Sequence, residues 1–199
     1  MTRVDFWFDP TCPWAWVTSR WMLEVASVRP IELHWHVMSL AVLNENRDVA
    51  EDYRQRTQRG LAAGRVLIAA QQRFGDAVLL PLYTALGTRF HPGHEPVARE
   101  TIEGALRDAE LPLDLIAAID ATTYDEALRA SHHEGISLVG QDVGTPIVAF
   151  DGHAFFGPVV SEIPRGEAAG RLWDGVQLIG STGGFYELKR SRDRRPSFD

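Results

Sequence analysis

Cysteine is nearly absent: the 199 residues hold one, Cys12. A single thiol excludes a disulfide framework within the chain, and thiol–disulfide exchange cannot finish inside one molecule. Long apolar runs are missing too, so no stretch is fit to span a bilayer as a helix. Met1 to Phe6 lack a basic segment followed by an apolar one, so a secretory signal is not expected and a cytoplasmic location is. No Gly-x-Gly-x-x-Gly occurs, which removes the usual fingerprint of bound NAD or flavin. Neither His-Glu-x-x-His nor a cysteine cluster occurs, and the adjacent His132 and His133 point to different faces of a helix, so no metal is expected. Net charge is −7, which argues against nucleic acid or an anionic membrane as partner. Repeats and low-complexity stretches are absent. What remains is an ordinary globular composition, 45% hydrophobic, at a length that suits one large domain or a core with an insert. Nothing in it fixes the oligomeric state.

The lone cysteine sits where a strand turns into a helix. Val4 to Phe8 is a short apolar run that reads as a buried strand. Val17, Trp21, Val25 and Val28 then share one helical face. Pro13 occupies the first helical turn, where a missing N–H costs nothing. A thiol at that corner meets unpaired backbone N–H groups and the positive end of the helix dipole. Both favour thiolate, and cysteines so placed drop from about 8.5 to roughly 3.5–7.5 in pKa. Cys12 is therefore expected to be a reactive nucleophile rather than a small buried hydrophobe. Trp14 beside it offers an aromatic face for a flat ligand.

The first helix is expected over Trp14 to Val28 and ends before Pro30. Ile31 to Met38 is β-rich and reads as a second strand, parallel to the first across a right-handed crossover. Val49 to Gly140 is helical in pattern, punctuated by Gly60, Gly75, Gly93 and Pro112. Thr123 and Glu126 have the spacing of a capping box. Ile147 to Phe150 and His153 to Phe156 read as antiparallel strands joined by a tight Asp151-Gly152 turn. A last helix is expected over Ser161 to Leu178, with Ala168, Leu172 and Trp173 inward. Lys189 to Arg195 reads as a solvated end or, less simply, as cationic contacts to an anionic ligand.

Strand, Cys-Pro-Trp-Ala, helix resembles the active-site corner of the thioredoxin fold. Asp5 to Pro10, His36 to Leu40, Leu43 to Asp48, Val143 to Val148, Phe155 to Pro158, Ile163 to Glu167 and Glu187 to Arg190 extend the likeness along nearly the whole chain. Together they resemble the DsbA-like mycothiol-dependent nitroreductases of actinobacteria. The resemblance implies an α/β thioredoxin fold with a helical insert domain between the second and third core strands. The core would be residues 1–45 and 141–199, and the insert 46–140. It implies that Thr145 and Pro146 carry a cis bond against Cys12 and hold an incoming thiol. It implies mycothiol as co-substrate and a small electrophile as substrate. Asn44 and Asn46 would line the pocket or act as turn and capping residues. Tyr53, His91 and His94 would face the cleft from the insert.

The sequence departs from that family at one point. The pattern is Cys-Pro-Trp-Cys, and here Ala15 follows Pro13 and Trp14. A natural monothiol site and a replacement made to trap a mixed disulfide would both look this way. Two further readings share the plan: a thiol transferase or isomerase resembling the kappa-class glutathione transferases, and a thioredoxin-like binding protein without turnover.

Overall fold

The computed structural model describes all 199 residues. A four-stranded sheet in the order β2-β1-β3-β4 is its centre. β1 spans Thr2–Phe8, β2 Ile31–Val37, β3 Ile147–Phe150 and β4 His153–Phe156. β1 and β2 are parallel, joined by helix α1, Pro13–Val28. β3 lies antiparallel to β1, and β4 antiparallel to β3. Both residues of the Asp151-Gly152 turn have positive φ, 48° and 79°, as the tightest hairpin requires.

β1 is buried on both faces, so Phe6, Trp7 and Phe8 follow one another without a polar break. Phe8 stacks on Tyr83 with ring centroids 3.7 Å apart, and Phe6 packs on Trp35. On the other face Trp7 stacks on His36, whose Nε2 lies 2.8 Å from an Asp5 carboxylate oxygen. Helix α6, Asp125–Val139, covers that face. A Cβ on its Gly135 would sit 2.7 Å from the Trp7 ring, so only glycine lets the helix lie so close.

Between β2 and β3 the chain forms α2 (Leu40–Leu43), α3 (Glu51–Phe74), α4 (Leu79–Phe90), α5 (Arg99–Asp108) and α6, with short 3-10 turns among them. This is the helical insert that the second-to-third-strand connection called for. Helix α7, Gly166–Gly180, packs against α1 through Trp21 and Trp173, both fully buried. Burying side chains of that size contributes roughly 2–3 kcal/mol each.

Three sequence expectations are corrected here. No side chain caps α6: Thr123 belongs to a 3-10 turn, and the helix starts at Asp125. Helix α7 begins at Gly166, because the preceding stretch holds Pro164 and no continuous backbone pattern. Of the inward positions expected, Trp173 is fully buried and Leu172 is half-buried against the core, but Ala168 is exposed and Ala169 and Gly170 are buried in its place.

Candidate active site

β1 ends at Phe8, and the chain turns through Asp9, Pro10 and Thr11 into α1. Cys12 is the N-cap residue of that helix: its backbone is extended, and its sulfur accepts the Ala15 N–H at 3.5 Å. The thiol in turn donates to the Thr145 carbonyl oxygen at 3.5 Å. Thr145 and Pro146 are buried, and the bond between them is cis. The Thr145 hydroxyl donates to the Trp7 carbonyl, which ties this loop to the end of β1. The corner and the downstream loop are thus brought together across 133 positions of sequence.

The thiolate expectation is not met. Cys12 is 6% exposed, and burial pushes its thiol up to about 12. The Ala15 and Trp14 N–H groups and the Arg192 charge pull the other way, and the Asp9 carboxyl adds to the rise. Losing water costs an anion more than two helix-end N–H groups return. In this conformation Cys12 is a resting thiol.

Asp9 escaped the sequence reading. It is 1% exposed and accepts three hydrogen bonds: from the Thr11 N–H at 2.8 Å, the Thr11 hydroxyl at 2.7 Å and the Leu40 N–H at 2.7 Å. One carboxyl thereby fixes the turn that presents Cys12 and the start of α2. Burial raises its pKa despite those donors. Asp-x-Thr is the sequence mark of such a side-chain turn, and it was legible between Phe8 and Cys12.

The insert contributes His91 and Tyr53. His91 ends α4, is 5% exposed, and its Nε2 lies 3.0 Å from the Pro10 carbonyl oxygen. A carbonyl only accepts, so Nε2 carries the proton. Burial lowers this histidine to about 4, which keeps it neutral. Tyr53 is half-buried on α3; burial, then the nearness of Cys12 and Asp9, raises its pKa, and Asn44 opposes this. Asn44 is buried, and its amide donates to the Leu40 carbonyl at 2.7 Å, the capping role weighed from sequence. Asn46 is exposed on the following turn and takes part in none of these bonds. His94 is likewise exposed, in a turn with φ of 53°.

Trp14 is half-buried, and Arg192 lies over its ring with the guanidinium carbon 5.0 Å from the centroid. Ala15 is fully buried directly behind the sulfur. Trp16 faces inward between His91 and Tyr83, and Arg20 covers it at 4.1 Å. Arg20 has no carboxylate partner; it donates to the Ser19 and Thr84 hydroxyls. No group of His, Cys, Asp and Glu side chains is arranged to hold a metal ion.

A parallel-antiparallel four-stranded sheet, a helix capped by cysteine and a cis-proline loop facing the sulfur define a DsbA-like thioredoxin-fold protein. Solved structures agree on the fold. A probable DsbA oxidoreductase, SCO1869 of Streptomyces coelicolor, superposes with a TM-score of 0.62 at 17% identity, over 97% of this chain and 95% of that one. A 2-hydroxychromene-2-carboxylate isomerase superposes at 0.60 with 13% identity, over 89% and 94%. The sequence places the chain more narrowly. Residues 11–190 match the Rv2466c-like family, described as mycothiol-dependent nitroreductase Rv2466c, and the chain belongs to that family of thiol-dependent oxidoreductases. An uncharacterised protein of Mycobacterium tuberculosis, Rv2286c, is 32% identical over 96% of this chain and 83% of its own length. No helix is long and apolar enough to cross a membrane.

Proposed function

We propose that this protein is a cytoplasmic monothiol oxidoreductase that exchanges electrons with mycothiol through Cys12. The observation that carries the reading is the single sulfur held between the first turn of α1 and the Thr145 carbonyl. Once deprotonated, that sulfur attacks one sulfur of an oxidised mycothiol. A Cys12–mycothiol disulfide forms and one mycothiol thiolate leaves, to be protonated by solvent. A second mycothiol then attacks the mixed disulfide, releases oxidised mycothiol and restores the Cys12 thiol. That exchange alone is degenerate. Net reduction begins when a nitro group gives an oxygen to the Cys12 sulfur, leaving a nitroso compound and a Cys12 sulfenic acid. One mycothiol then displaces water to form the mixed disulfide, and a second releases oxidised mycothiol. The backbone of the Thr145-Pro146 loop aligns the incoming thiol as a short added strand. Trp14 offers the flat ligand a ring face, Tyr53 stands near the sulfur beside Asn44, and His91 holds Pro10 in place.

Ala15 gives the proposal its particular form. With no second thiol behind the first, the mixed disulfide has only an outside thiol to resolve it. The protein's mass after exposure to oxidised mycothiol tests this. One mycothiol should add to the wild type and none to Cys12→Ser. Ala15→Cys should instead lose two protons to an internal disulfide and release the adduct faster. The rival reading, a thiol transferase or isomerase, draws only on the fold shared with the chromene carboxylate isomerase. Conjugation turnover that survives in Cys12→Ser, with no adduct on the wild type, would establish it instead.

A further inference from the structure

Lys189 to Arg195 read from the sequence as a solvated end or, less simply, as cationic contacts to an anionic ligand. From Tyr186 to Asp199 they form no helix or strand, and Tyr186 to Arg195 are all exposed. Pro196, Ser197 and Phe198 break the pattern, for all three are half-buried. The Ser197 N–H donates to the Ser161 carbonyl at 2.7 Å, the segment's one backbone hydrogen bond to the body. Arg194 pairs with Glu162 at 2.7 Å. Phe198 packs on His91 with ring centroids 5.7 Å apart. Arg192 lies on Trp14.

These contacts fall on both flanks of one feature. Trp14 follows Cys12 by two residues, and His91 holds the Pro10 carbonyl two residues before it. Ser161 and Glu162 lie just beyond Pro158, whose carbonyl accepts the Thr18 hydroxyl of α1 at 2.9 Å. The segment therefore crosses from the wall of the sheet to the wall of the insert, over the mouth of α1. Arg192 takes the indole face that a flat ligand would use. We propose that residues 189–198 are a strap fastened across the Cys12 corner by Arg192 on Trp14 and Phe198 on His91, which must lift before a thiol or a flat ligand reaches the sulfur.

The fastenings suit a device that opens. One exposed cation–aromatic contact, one exposed ion pair, one hydrogen bond and one half-buried ring hold it, where a core element has many buried contacts. Opening would also return water to the sulfur, and burial is the chief cause of its high pKa. For its purpose the strap rests on the function proposed above; its geometry does not.

The rate of Cys12 alkylation by iodoacetamide at fixed pH reads the opening directly. Arg192→Ala is an ambiguous variant, since it loosens the strap and removes a charge that favours thiolate. Phe198→Ala loosens the strap and leaves Arg192 in place. Ser197→Pro removes the N–H that Ser161 accepts and leaves every charge unchanged. Each should speed alkylation several-fold over wild type, with the circular dichroism of the body unaltered. Equal rates in wild type and both variants would overturn the strap. Faster alkylation with no mycothiol adduct in any variant would leave the strap standing and remove the mycothiol reading.

Discussion

The two ends of α1 are held by opposite physics. The helix is 16 residues long, so its ends lie about 24 Å apart. Around its first turn burial drives the ionisable groups toward their uncharged forms: Cys12, Asp9, Tyr53 and Tyr83 are pushed up, His91 down. Beyond its last turn every shift runs toward charge. Arg29 is raised, while Glu167 and Asp174 are lowered, because one guanidinium serves both carboxylates. Its hydrogen bonds there run from 2.7 to 3.1 Å, with Asp174 bound through two nitrogens. The far end clamps α7 to α1 in water, where charge is cheap to keep. The near end excludes water, which holds its groups in their uncharged forms. A thiol oxidoreductase that rests as a thiol is protected from stray oxidation.

The largest effect that would break this contrast is at Asp9. Asp9→Ala leaves the buried Leu40 N–H and the part-buried Thr11 N–H without their acceptor. Each costs about 1–3 kcal/mol, partly offset by removing a carboxyl that was itself costly to bury. Urea unfolding should show a loss of about 3 kcal/mol. Asp9→Asn keeps one acceptor oxygen and should lose less than half as much. A mild Asp9→Ala would mean that the turn before Cys12 is held by its backbone alone.

Next in size is the pH response of the neutral end. His91 falls from 6.5 to about 4 on folding. A group whose folded pKa is depressed contributes stability that is present above its unfolded value and is lost as pH falls through the folded one. The window is therefore pH 6.5 down to about 4. A fall of that size is on the order of a few kcal/mol. His132, lowered to about 4 as well, acts in the same window. Asp9, raised by burial, acts in the opposite sense and cancels when two proteins that share it are compared. His91→Gln can still donate to the Pro10 carbonyl but cannot take up the proton. Its stability, followed by denaturant midpoint, should therefore fall less steeply than wild type between pH 6.5 and 4. Parallel curves would show that His91 is not held neutral.

How much of this the chain itself displayed differs between the two ends. The strand, the crossover, the parallel pairing and the Asp151-Gly152 hairpin follow from local pattern, so β1, α1, β2, β3 and β4 were readable within a residue or two. The placement of Cys12 at the helix mouth was readable too, because Pro13 marks the first turn. The protonation of Cys12 was not. A local rule sees the N–H groups of the helix end but not the burial, in which a loop 133 positions away, at Thr145, lies against the sulfur. The same holds for Arg192 and Phe198: a basic, proline-containing run looks like solvent-exposed chain until its contacts are known. Asp9 was missed for another reason, since an acidic residue at the end of an apolar strand reads as the point where burial stops. Asn46 and His94 are placed at the cleft by the resemblance alone, and both are exposed.

The smallest effect belongs to the charged end. Gly170 makes room for Arg29, since a Cβ there would sit 2.6 Å from its guanidinium, so the clamp is built into the packing of α7. Yet all three partners meet water, and exposed ion pairs contribute little and are screened by salt. Arg29→Met keeps the apolar stem and removes the charge. It should lower the thermal midpoint less than Asp9→Ala does, and the gap from wild type should narrow as salt is raised. Because the clamp lies a helix length from the sulfur, its loss should leave the alkylation rate of Cys12 unchanged. A salt-independent drop, or a faster-reacting Cys12, would mean that α1 transmits the state of one end to the other, and that the two ends are a single device.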